Sequence, residues 1–165
     1  MNSLQRAWAI LEAIPDPEIP VVSIRELGIL REINERDGEL EVVITPTYSG
    51  CPAMGQIEDD VRAALAASDL PARVVTRLSP AWSTDWIIPE AREKLRAFGI
   101  SPPHAIAANN VMLFARPASS QPTAVPCPHC GSDNTTETSH FSSTACKALY
   151  MCLDCLEPFD YFKPY

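Results

Sequence analysis

Six cysteines carry most of the chemistry that this sequence can do, and five of them lie in the last forty residues. Cys127-Pro128-His129-Cys130 and Cys152-Leu153-Asp154-Cys155 are two C-x2-C knuckles with twenty-one residues between them. Each knuckle puts two sulfurs on one side of a tight turn, and two facing knuckles make a tetrahedral S4 metal site. Tetrahedral S4 suits zinc, a single iron or an iron–sulfur cluster, and the spacing favours structural zinc, one per chain. His129 and His140 are surface residues on this reading, because four cysteines complete the site. Cys146, beside Lys147, is left over. It is either a buried core thiol or a second functional thiol that exchanges as a ligand.

The sixth cysteine stands alone in Thr45-Pro46-Thr47-Tyr48-Ser49-Gly50-Cys51-Pro52-Ala53. A strand-like run, residues 40–44, precedes it and a helix-like run from Ala53 to about Ala67 follows. Gly50 permits a tight turn at positive φ, and Pro52 suits a first helical position. Cys51 then lies at or next to a helix N-cap, where the dipole favours thiolate over thiol. That makes it a candidate transient ligand for iron or a cluster. Equally, it is a small buried hydrophobe. Asp16 and Glu18, in a proline-held extended piece, are either solvated loop charges or hard ligands beside Cys51.

The elements that must position these groups follow in order. Leu4, Ala7, Trp8, Leu11 and Ile14 recur at helical spacing over residues 3–14, up to Pro15. Ser23 and Glu26 form a capping box around one short turn, with Gly28 as its C′ residue. Residues 29–33 and 40–45 read as strands joined at Asp37-Gly38, a hairpin signal. After the 53–67 helix, residues 72–78 form a third strand. Helix–strand–strand–helix–strand implies a small α+β sandwich, with both helices on one face of a mixed three-stranded sheet. Trp82 and Trp86 follow in a polar loop, where they either close the small core or form a partner surface. Residues 89–98 read as a polar helix. The expected organisation is an α+β domain over 1–103, a linker over 104–124 with Val111–Phe114 as an edge strand, and a β zinc ribbon over 125–165. Strand-like pieces at 134–141, 147–151 and 158–162 build the ribbon. A module this small cannot bury enough apolar surface alone, so metal supplies its folding energy.

Composition narrows the partners. Thirteen basic and twenty-one acidic residues give a net charge of −8, which argues against nucleic acid and anionic membrane surfaces. No apolar run approaches the roughly eighteen residues that span a bilayer, and the start has no leader-like pattern. The expected location is cytoplasmic.

DPEIPVVSIRELGI, TPTYSGCPA and LSPAWSTDW resemble the metal–sulfur cluster assembly factor family. PEAREKLRAFGISPP, CPHCGS, FSSTACKALY and CLDCLEPFDYFKP are similar to the D-protein family of the phenylacetate-degradation cluster. The resemblance covers almost the whole chain, least in 104–126. It implies the same α+β fold and ties Cys51, the match to the family's lone cysteine, to iron–sulfur delivery. It implies an accessory or maturation role beside a multicomponent phenylacetyl-CoA ring epoxidase, whose di-iron oxygenase or iron–sulfur reductase would be the client. It supplies no catalytic residues. A non-catalytic structural subunit is the alternative. A thiol enzyme using Cys51 lacks a histidine base nearby, since His104 is distant in sequence.

Overall fold

The computed structural model describes residues 2–104 and 124–165. These divide into two compact units, Met1–Lys94 with Tyr165, and Leu95–Pro164. The expected edge strand at Val111–Phe114 lies outside the described residues.

In the first unit, helix α1 (Ser3–Leu11) starts at Asn2, whose Oδ1 accepts the Gln5 N–H at 2.8 Å while Gln5 Oε1 accepts the Asn2 N–H. The reciprocal bonds satisfy N–H groups that a helix start leaves orphaned. Strands β1 (Leu30–Arg36) and β2 (Glu39–Ile44) form the expected antiparallel hairpin. Asp37 and Gly38 both take positive φ, 54° and 81°, the pair that a two-residue type I′ turn requires. Helix α2 (Ala53–Ala66) leads into β3 (Ala72–Thr76), which pairs parallel to β2. The sheet order β1-β2-β3 is the mixed three-stranded sheet read from the sequence. Helices α1 and α2 pack on each other, α1 on β1 and α2 on β3. Ala7, Leu11, Ile57, Val61 and Leu65 face inward with Val42 and Ile44. Strand β3 stops two residues short of the expected Leu78, because the Arg77 N–H to Ile44 carbonyl bond is the last that β2 can offer. Leu78 is left exposed.

The connection between α1 and β1 folds as a braced loop. Ser23 and Glu26 make the capping box in both directions, at 2.8 and 3.2 Å. Gly28 ends that turn at φ 73°, and a Cβ there would stand 2.6 Å from Trp86 Cβ, so conformation and space both demand glycine. A short 3₁₀ turn, Thr84–Trp86, precedes α3 (Pro89–Ala97), within which the chain passes into the second unit.

The second unit is a four-stranded sheet in the order β4-β7-β6-β5. Its strands are β4 (Ile100–Ser101), β5 (Thr135–Ser139), β6 (Lys147–Cys152) and β7 (Pro158–Phe162). Strand β4 pairs parallel to β7, so the compact second unit takes in residues from Leu95 onward. A local pattern of two residues cannot announce that pairing. Val125, Cys127, Cys152, Phe159 and Tyr161 form the ribbon's core, with Tyr150 and Cys155 packed against them.

Candidate metal centre and thiol site

The two knuckles converge. The sulfurs of Cys127, Cys130, Cys152 and Cys155 all lie within 4.8 Å of one another, with 3.8 Å between Cys127 and Cys155 and 3.6 Å between Cys130 and Cys152. A metal–sulfur bond near 2.3 Å makes the edge of an S4 tetrahedron about 3.8 Å. The spacing therefore fits one mononuclear tetrahedral ion. An iron–sulfur cluster places several irons and sulfides between its cysteines and needs a wider cage. The electrostatics agree with a cation at the centre. The Cys155 and Asp154 N–H groups point at Cys152 and hold its thiol down to about 7. The Glu157 N–H pulls Cys155 the same way, yet burial and the three other sulfurs outweigh it and leave that thiol at about 12. Four sulfurs this close cannot all ionise unless a metal compensates them.

Cys146 is not part of this group among the described residues. It is buried, 3.0 Å from Thr144 Oγ1. Its neighbour Lys147 forms a part-buried ion pair with Asp160 at 3.1 Å. His129 and His140 are exposed, the latter 3.3 Å from Glu137.

Cys51 lies in the first unit, on the loop between β2 and α2. The N-cap is Pro52 rather than the first helical residue, and Cys51 lies next to the cap as expected. Gly50 is not at positive φ; the turn is closed by the Cys51 N–H to Tyr48 carbonyl bond at 3.1 Å. The Ala53 N–H, at the head of the helix, does reach the sulfur, and so does the Thr47 side chain. Both favour thiolate, as the sequence suggests. They lose. Burial pushes the Cys51 thiol above its ordinary value, and the nearby Glu18 and Asp16 carboxylates push it the same way. The expected low-pKa thiolate is thus corrected to a protonated thiol at neutral pH. Asp16 is not a solvated charge either, being 5% exposed with Oδ1 accepting the Glu18 and Ile19 N–H groups at 2.9 and 2.8 Å.

Thr47 is a site residue that the motif alone does not reveal. It also lines a pocket of about 370 Å³ with Thr45, Tyr48, Leu78, Trp82 and Tyr165. Trp82 and Trp86 are not a shared outer surface. Trp82 is 4% exposed, and its Nε1 donates to the Leu27 carbonyl at 2.9 Å. Trp86 is half-buried under the Arg31 guanidinium, 3.5 Å from the ring centre.

The carboxylate effect is testable. Glu18→Gln removes one negative charge near the sulfur, so Cys51 becomes the stronger acid. Its alkylation by iodoacetamide at pH 7.5 rises about two- to fivefold if the shift is a few tenths of a unit. An unchanged rate would show that the Glu18 charge does not act on the thiol.

Comparison with known proteins places these features. Residues 4–78 match the family described as iron-sulfur cluster assembly protein, and residues 115–163 match the PaaD zinc beta ribbon domain. The D subunit of an Escherichia coli protein system named "Putative 1,2-phenylacetyl-CoA epoxidase" is 47% identical over 94% of this chain and 90% of its own. The Bacillus subtilis Fe-S protein maturation auxiliary factor YitW is 36% identical over 46% of this chain and 72% of its own. A domain of unknown function (DUF59) from Bacillus anthracis, of known structure, is 29% identical. It covers 56% of this chain and 91% of its own, with a TM-score of 0.52.

Proposed function

The chain belongs to the family of phenylacetyl-CoA epoxidase D subunits, and on that premise we propose that it is an accessory maturation factor for a multicomponent phenylacetyl-CoA ring epoxidase. Its task on this reading is to help insert iron or an iron–sulfur unit into a di-iron oxygenase or iron–sulfur reductase client in the cytoplasm. The ribbon holds a structural zinc through Cys127, Cys130, Cys152 and Cys155. The N-terminal unit handles the cargo, and no catalytic residue set is required.

The observation that carries the reading is the Cys51 site itself. A half-buried thiol is hydrogen-bonded to Thr47 and Ala53, and feels the Asp16 and Glu18 carboxylates. It lies within the segment that matches the iron–sulfur assembly family. The negative surroundings that keep the thiol protonated without a cation also attract one. An arriving iron species replaces the proton, which leaves to solvent, and the thiolate binds the metal. The carboxylates offset the cationic charge, and a neutral, reprotonated thiol is the released state. Such a site binds only while cargo is present, which is what a carrier needs.

The test is the client's metal content in cells that express Cys51→Ser in place of the wild type. We expect the client's iron to fall roughly tenfold, the size of loss common when a metal-site residue is removed. Unchanged loading would end the delivery reading. The raised thiol pKa also suits a second reading, a non-catalytic structural subunit of the oxygenase complex in which Cys51 merely packs. Stoichiometric co-purification with the mature enzyme, together with unchanged iron in Cys51→Ser, would select it.

A further inference from the structure

The two knuckles share one backbone pattern but differ in the residue that follows the second cysteine, Gly131 in one and Leu156 in the other. Gly131 N–H bonds the Cys127 carbonyl at 2.9 Å, and Leu156 N–H bonds the Cys152 carbonyl at 3.1 Å. Cys127 N–H bonds the Ser132 carbonyl at 2.9 Å, and Cys152 N–H bonds the Glu157 carbonyl at 3.0 Å. The residue after the second cysteine takes positive φ in both, 76° at Gly131 and 63° at Leu156. Glycine meets that demand without strain, whereas a branched side chain there is a rare and costly choice. Leu156 gains nothing in return from packing, since it is 72% exposed, and Leu153 in the same knuckle is 49% exposed. A strained, outward leucine where the chain itself uses glycine one knuckle earlier points to a task outside the fold.

The tip is also held rigid. Leu153 N–H bonds the Asn134 carbonyl at 2.8 Å, and Asp154 accepts from Asn134 Nδ2 at 2.7 Å and from the Ser132 hydroxyl. Around the two leucines the exposed charges Asp133, Asp154 and Glu157 are all acidic. The ribbon's cations are spent elsewhere, Lys147 on Asp160 and Lys163 over the Phe141 ring. We infer that the Cys152–Glu157 knuckle is a docking tip. Leu153 and Leu156 enter an apolar pocket, rimmed by lysine or arginine, on another protein component of the epoxidase system. The acidic rim repels nucleic acid and anionic lipid and matches a basic protein surface. This rests on the accessory-factor reading above and names the surface through which the client is engaged.

The experiment uses the full chain as wild type, Leu156→Gly and Leu153→Ser. Binding to the purified remaining components of the epoxidase is measured by biolayer interferometry at low and physiological salt, beside the thermal midpoint and bound zinc. Leu156→Gly relieves the backbone, so its midpoint should stay level or rise with zinc retained, while affinity falls about tenfold, as for a central apolar anchor. Leu153→Ser should weaken binding without loss of zinc, and salt should weaken the wild-type complex. Wild-type affinity in Leu156→Gly would overturn the docking tip alone, leaving the Cys51 test standing. A wild type that binds none of the components would overturn the accessory reading together with this one. Self-association of the wild type that Leu156→Gly abolishes, without binding to any component, would reassign the tip to a second copy and overturn the inference.

Discussion

Stripping the metal with a strong chelator, or replacing Cys152 with serine, should unfold the C-terminal ribbon and expose the amides of β5, β6 and β7 to rapid hydrogen exchange. The expected loss is large because the site contributes to the core as well as to chemistry. Two members of the ribbon's five-residue buried cluster, Cys127 and Cys152, are among the four proposed metal ligands, and Cys155 packs against that cluster. A structural zinc of this kind contributes on the order of 10 kcal/mol of folding free energy, more than the remaining aromatic contacts can replace. Without a cation nothing offsets the mutual repulsion of ionised sulfurs held within 4.8 Å of one another, and thiol–thiol contacts are weak. Because protons compete with metal for the sulfurs, the chelator should act faster at pH 5.5 than at pH 7.5. The measurement is exchange protection read separately in each unit. Protection in β1, β2 and β3 should persist, since Leu11, Ile24, Ile44 and Val61 are buried without help from the ribbon metal. Retained protection of the ribbon in Cys152→Ser would show that its core suffices alone.

Trp82→Ala should cost the first unit about 3–5 kcal/mol, the range for truncating a buried aromatic. Removing the indole opens a cavity beside Leu27, itself 2% exposed, and leaves the Leu27 carbonyl without its 2.9 Å donor. Trp82→Phe retains much of the apolar volume and loses the bond, so about 1–3 kcal/mol is expected. Urea unfolding followed by the remaining tryptophans measures both. The order Ala worse than Phe worse than wild type follows from a core role. If Trp82→Ala unfolded at the wild-type urea midpoint, the burial argument would be wrong and a partner surface would return.

Much of the fold is legible because it is locally encoded. Asp37-Gly38 dictates a turn at positive φ, Ser23 and Glu26 cap each other three residues apart, and Ala7, Leu11, Ile57, Val61 and Leu65 mark inner helix stripes. The four-cysteine site is equally local: each knuckle is a four-residue turn, and only their meeting is long-range. Strand β4 is hidden because two residues carry no period, and its partners Asp160 and Tyr161 lie about sixty positions away.

The thiol site divides along the same line. The residues themselves determine that a cysteine precedes a helix, that two carboxylates lie upstream, that two knuckles can hold one ion, and that an acidic chain is poorly suited to nucleic acid. Only the tertiary structure decides how those pieces act on each other. It buries Cys51 enough for desolvation and the Asp16 and Glu18 charges to outweigh the helix N–H. It turns Trp82 inward onto Leu27 and Cys146 into the ribbon. It also puts Leu156 at φ 63° in the open. Turn chemistry and periodicity are properties of neighbouring residues, whereas solvation, field and exposure depend on distant parts of the chain that meet only on folding.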